Sequence, residues 1–97
     1  NLSEAILNRD NSNETFLIAG ANLSGANLSG TDLRTTNLYQ ANLSGANLSG
    51  AGLRKTNFSK SDLREVNLRE ADLKGANLSG AKYCKTQMPW GELNNDC

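Results

Sequence analysis

Between Ala21 and Lys85 one apolar residue recurs at every fifth position: Leu23, Leu28, Leu33, Leu38, Leu43, Leu48, Leu53, Phe58, Leu63, Leu68, Leu73, Leu78 and Tyr83. Polar residues fill most of the intervals. The stretch divides without a gap into thirteen five-residue units, each opening on Ala, Thr, Ser or Val, then usually Asn or Asp, then the apolar residue. A period of five excludes both regular elements. On an α-helix each step of five turns the side chain by about 140°, at about 100° per residue, so the leucines scatter around the axis. On a straight strand the odd step throws successive leucines onto opposite faces. Only a chain that turns in the same sense once per unit aims them all at one axis, so the pattern predicts an all-β solenoid with a leucine-filled centre.

A longer period gives the number of units per circuit. Residues 21–40 match the chain 20 positions on at 14 of 20 places, against 9 for a shift of 15 and 6 for a shift of 10. Four units per circuit is the better reading, although duplication of one 20-residue segment would give the same signal. Stacked circuits then lie about 4.8 Å apart, each satisfying its backbone groups on the circuits above and below. Folded this way, the core columns are Leu23, Leu43, Leu63 and Tyr83; Leu28, Leu48 and Leu68; Leu33, Leu53 and Leu73; and Leu38, Phe58 and Leu78. The first residue of each unit also points inward, where space is short, which accounts for Ala, Thr and Ser there and makes Val66 the bulkiest.

Units such as ANLSG, TDLRT and ADLKG resemble the pentapeptide-repeat family, whose pattern is A(D/N)LXX, over about two thirds of the chain. The resemblance implies a right-handed quadrilateral β-helix with four units per coil. Departures from the pattern are Gly52 and Lys82 at the second position, Val66 at the first and Tyr83 at the third.

Flanking the repeats, residues 1–20 and 86–97 read as caps. At the start, Leu2, Ala5 and Leu7 suit an early coil in another register, or Ser3 caps a helical turn carrying Ala5, Ile6 and Leu7. Asp10 to Thr15 is a polar loop, and Phe16, Leu17 and Ile18 are expected to cover the upper end. At the other end the period is expected to break at Thr86. Pro89, Trp90 and Gly91 suggest a turn, with Met88, Trp90 and Leu93 forming a lid. With both ends capped the chain is expected to be monomeric, since open solenoid ends invite association.

Charge then narrows the functional classes. Residues 21–85 hold 9 basic and 5 acidic side chains, net +4, and the flanks hold 1 and 5, net −4, for 10 of each in the chain. The resemblance extends to relatives that act on DNA gyrase by mimicking duplex DNA, but a mildly basic body has the wrong sign for a DNA-mimicking regulator. Neither nucleic acid nor an anionic membrane is expected as a partner. No apolar run approaches the roughly 20 residues of a membrane span. At four units per circuit, Arg34, Arg54 and Lys74 align with Lys55 nearby. That column is a candidate interaction site for a phosphate or an acidic partner, weakened by Asp32 and Asp72 close by.

Catalytic chemistry finds little footing. The chain has no histidine, and Ser24, Ser29, Ser44, Ser49 and Ser79 recur at outward repeat positions without an activating base. No metal or cofactor is expected, because two cysteines fall short of a structural zinc set. Those two, Cys84 and Cys97, either close a disulfide or remain thiols. A disulfide would point to an oxidising compartment. The tail C-x-T-x-M-P-x-G with a later Cys resembles the endings of cyanobacterial and plastid family members. The chain opens on Asn1 with no targeting segment, as a mature product after signal removal or an excised fragment would. The expected function is a non-enzymatic structural or protein-interaction module working on an unidentified protein in a thylakoid lumen or periplasm.

Overall fold

The structure, a computed structural model, describes residues 19–97. The expected cap at residues 1–20, including Phe16, Leu17 and Ile18, lies outside the described residues except for Ala19 and Gly20. Ten parallel bridges join residues twenty apart, from Asn22 with Asn42 to Asn67 with Gln87. They fall into four columns, which head the faces named here after Asn22, Asn27, Asp32 and Asn37. One circuit is therefore four units, as the twenty-residue similarity predicts.

Within a unit every backbone N–H has its own destination. In the unit 41–45, the first residue, Ala41, donates to Leu38 O (3.0 Å) and closes the preceding turn. The second, Asn42, donates up to Ala21 O (2.9 Å), while Leu43 and Gly45 donate down to Asp62 O and Arg64 O (both 2.9 Å). The fourth, Ser44, donates to its own unit's Asn42 Oδ1 (3.0 Å). The preference for Asn or Asp at the second position thus has a cause: a short side-chain acceptor satisfies the one N–H of the unit that no backbone carbonyl accepts. Gly52 supplies no such acceptor, and at Lys82 the duty passes to Thr86, whose Oγ1 accepts from Cys84 N (3.2 Å).

The fifth residue carries the turn. All thirteen units from 21–25 to 81–85 have positive φ there, at 54–75°, which glycine adopts without a Cβ penalty. Thr35, Gln40, Lys55, Lys60, Glu65, Glu70 and Lys85 adopt it at a cost, Thr35 most of all because it is β-branched.

The core runs along the axis. Leu28, Leu33, Leu38, Leu43, Leu48, Leu53, Phe58, Leu63 and Leu68 are fully buried at 0% exposure, with Ala41, Ala46, Ala51 and Val66 filling the narrow first positions. Thr56 and Thr86 fit those positions by donating their hydroxyls to Leu33 O (2.7 Å) and Leu63 O (2.6 Å). Leu23, Leu73, Leu78 and Tyr83 depart from the expectation of a uniformly buried column. They are half-buried, and beneath Leu73 and Leu78 no further circuit lies among the described residues.

The end of the repeats is also corrected. Register does not break at Thr86. Strand β1, Thr86–Met88, continues it: Thr86 is buried at a first position, Gln87 bridges Asn67, and Met88 enters the core beneath Leu68 at 2% exposure. The chain then turns through Pro89 and Trp90, and β2, Gly91–Leu93, pairs antiparallel with β1. Met88 is thus a core rung rather than part of a lid. Trp90 occupies an outward fifth position and stays 68% exposed, leaving Leu93 as the partly buried cover.

Candidate interaction surfaces

The tail is held by a chain of polar contacts that ends near the two cysteines. Arg69 Nη2 donates to Gln87 Oε1 (3.2 Å), and Gln87 Nε2 donates to Glu92 Oε1 (2.6 Å). Asn94 Nδ2 donates to Glu92 Oε2 (2.9 Å), and Asn94 Oδ1 accepts from Lys85 N (2.7 Å). Hydrogen bonds from Asn94 and Gln87 hold the Glu92 carboxyl below its usual range. Asp96 completes the edge, accepting from Tyr83 N at Oδ2 (2.8 Å) and donating its own N–H to Tyr83 O (2.6 Å). Cys84 and Cys97 are a bonded pair with Cα atoms 4.9 Å apart, within the usual disulfide span. Beside them an open depression of about 420 Å³ is lined by Ser44, Arg64, Glu65, Cys84 and Lys85.

The candidate basic column takes shape on the Asp32 face, but its charges are largely engaged. Arg34 forks onto Asp32 of its own unit, through Nε to Oδ1 (2.9 Å) and Nη2 to Oδ2 (2.8 Å). Arg64 does the same with Asp62 at 2.9 and 2.6 Å, rather than pairing with its neighbour Glu65. Arg54 cannot, because residue 52 is glycine, so its Nε reaches down a circuit to Asp72. The arginine contacts are the first cause lowering the Asp62 and Asp72 carboxyls, and Asp62 in return raises Arg64. The arginine of each pair is well exposed, so solvent screening leaves these contacts little weight in stability. Of the four expected cations, Lys55 and Lys74 join no ion pair among the described residues.

The outward serines are structural. Ser24, Ser29 and Ser44 donate their Oγ protons to the amide oxygens of Asn22, Asn27 and Asn42, each at 2.8 Å. An amide oxygen is too weak a base to activate a hydroxyl nucleophile. Stacked asparagines mostly do not bond to one another through their side chains. Asn57 Nδ2 to Asn37 Oδ1 (3.4 Å) is one such bond, while the other asparagines spend their oxygens on their own turns.

Sequence reasoning missed the lower edge. The tail closes the Asn27 face with β2 and the Asn22 face with Asn94 and Asp96. Beneath the other two faces, among the described residues, the N–H groups of Leu73, Gly75, Leu78 and Gly80 and the carbonyls of Ala71 and Ala76 have no partner. Their equivalents one circuit higher are all bonded, as in Phe58 N to Asn77 O (2.7 Å) and Lys60 N to Ser79 O (2.8 Å).

This architecture, a four-sided coil of five-residue turns with Asn or Asp bracing each turn, defines a class of repeat solenoid. The pentapeptide-repeat family profile matches residues 18–54 and 47–82, with eight copies of the repeat, and the chain belongs to that family. Among solved structures it is similar to the pentapeptide repeat protein Rfr23 from the cyanobacterium Cyanothece 51142. That match has 36% identity and a TM-score of 0.70, covering 72% of this chain and 48% of the other. HetL, a pentapeptide repeat protein involved in heterocyst differentiation regulation in the cyanobacterium Nostoc sp. strain PCC 7120, matches at 35% identity and a TM-score of 0.50, over 95% of this chain and 48% of its own. QnrB1, a plasmid-mediated fluoroquinolone resistance protein, shares the fold at 23% identity and a TM-score of 0.54, covering 90% of this chain and 44% of its own. The chain spans about half the length of these relatives. Comparison with curated proteins gives no match.

Proposed function

We propose that this chain is a non-enzymatic structural or protein-interaction module that coils in the right-handed sense its family resemblance implies and works outside the cytoplasm, in a thylakoid lumen or periplasm, after removal of a signal peptide. One observation carries the reading: the repeated polar side chains are consumed in bracing their own turns, as in Ser44 Oγ and Ser44 N on Asn42 Oδ1. Such a surface is rigid and flat, which suits docking with little entropic cost on binding. The Cys84–Cys97 pair supports an oxidising compartment. The DNA-mimic alternative gains nothing from the net +4 of residues 21–85.

Two measurements test this. Thiol counting on unfolded protein from its native source, with and without reductant, is expected to find Cys84 joined to Cys97. Two free thiols would remove the argument for location. Site-specific photo-crosslinking inside the source organism, from one outward position on each face, is expected to give one discrete protein adduct from one face, and no adduct from any face would refute an interaction role.

A further inference from the structure

The lower edge of the Asn37 face, uncovered among the described residues, is distinct in its charge. None of its outward residues is acidic: Asn37, Tyr39, Gln40, Asn57, Ser59, Lys60, Asn77, Ser79 and Gly80. Lys55 and Lys60 stand at its two corners. Gly75 and Gly80 lie directly below them, so the lysine stems settle onto the last circuit, each Cγ 3.3 Å from the place where a glycine Cβ would be. Lys74 adds a third cation at the Lys55 corner. None of the three joins an ion pair among the described residues, and Asp72, the nearest acid on the adjoining face, is held by Arg54.

Backbone chemistry at the same edge is that of an unfinished sheet. Leu78 and Gly80 offer two N–H donors and Ala76 one carbonyl, in the arrangement that Phe58, Lys60 and Thr56 use to bind the circuit below. Leu78 and Ala76 are half-buried, whereas Phe58 and Thr56 directly above are at 0% exposure. Apolar surface, backbone donors and lysines therefore converge on one short strip.

We infer that this strip is a docking edge for an extended acidic segment of a partner protein, which adds beneath residues 76–80 as one more rung. The inference rests on the interaction-module reading and names its surface. A guest in the native register would give carbonyls to Leu78 N and Gly80 N and take Ala76 O with one N–H, as strand addition to a sheet edge does. Alternate guest side chains then face opposite ways. Small and apolar ones cover Ala76 and Leu78, and acidic ones at either end meet Lys55 with Lys74 and Lys60. The fitting pattern is acidic, small, any, apolar, acidic.

Amide hydrogen exchange on the whole chain tests this. In the free protein the Leu78 and Gly80 amides are expected to exchange at least about 100-fold faster than those of Phe58 and Lys60, since an unpaired edge amide gains no protection from the fold. Equal protection would mean that the edge is already filled and would overturn the proposal. A peptide of two Glu-Ala-Thr-Val-Glu blocks should slow Leu78 and Gly80 and bind about tenfold more tightly than its Gln-Ala-Thr-Val-Gln counterpart, from two exposed charge pairs. The Lys55→Gln/Lys60→Gln double variant, with melting unchanged, should lose that preference. Protection that grows with protein concentration alone would assign the edge to a second copy, and equal protection by a duplex DNA fragment would mean generic polyanion attraction; either result overturns the proposal. Failure here leaves the crosslinking result from the flat faces standing, so the two readings fail separately.

Discussion

Replacing Met88 by alanine tests whether the last strand is a rung of the coil or a loose lid. The side chain is 2% exposed at the end of the Leu28, Leu48 and Leu68 column, so Met88→Ala removes buried atoms and leaves a cavity. Such changes cost about 2–5 kcal/mol. Because only the tail lies beyond it, partial collapse from the open side places the expected loss at the lower end, about 2–3 kcal/mol. Trp90→Ala provides the internal contrast. It removes a far larger side chain, but one 68% exposed, and is expected to change stability by less than about 0.5 kcal/mol. Urea unfolding followed by far-UV circular dichroism measures both, and an unchanged denaturant slope shows that the same unit is unfolding. The reasoning is refuted if Trp90→Ala costs as much as Met88→Ala, for then the indole covers the core and the register ends at Lys85.

Further expectations follow from the turn chemistry and the ends. Gly52→Asn should stabilise by about 1 kcal/mol by giving Arg54 N–H the acceptor it lacks; a new Cβ has room, with Arg34 Cγ and Asp32 Oδ1 at 3.9 Å. Gly52→Asp should gain less in the same urea assay, because Asp32 is so near. Thr35→Gly should raise the thermal midpoint, relieving about 1 kcal/mol of strain at φ 60°; a lower midpoint would mean that the Thr35 Oγ1 bond to Arg34 O (2.6 Å) outweighs the strain. Asp62, held low chiefly by Arg64, stabilises the fold above the usual carboxylate range, and that contribution is lost as pH falls through its depressed value. Asp62→Asn should therefore flatten the acid limb of a stability-against-pH curve without steepening it elsewhere. Cys97→Ser should cost about 3 kcal/mol in the chain-entropy model for a closed loop of this size, matched by the effect of reductant on the unaltered chain.

Much of the architecture was legible because it follows from arithmetic on one dimension. A five-residue apolar period is incompatible with helix and strand, and a twenty-residue similarity sets four units per circuit, so the inward columns could be written down from Leu28 to Leu68. Residue choices at the second and fifth positions were also local, since a unit braces its own turn with Asn42 or Asp62 and turns on Gly45 or Lys60. What the sequence could not decide lies between circuits and at the ends. Arg54 pairs with Asp72 because Gly52 removed its nearer partner, a swap visible only once residues eighteen apart are placed side by side. Thr86 and Met88 look like the start of an irregular tail by composition, yet stacking against Asn67 and Leu68 carries them into register. Trp90 reads as a hydrophobic cover but stands at an outward corner. The bare edge below Leu78, with Lys55 and Lys60 over it, belongs to tertiary structure alone. A repeat specifies its own turn and its spacing to the next, whereas the coverage of the final circuit depends on where a non-repeating tail comes to rest.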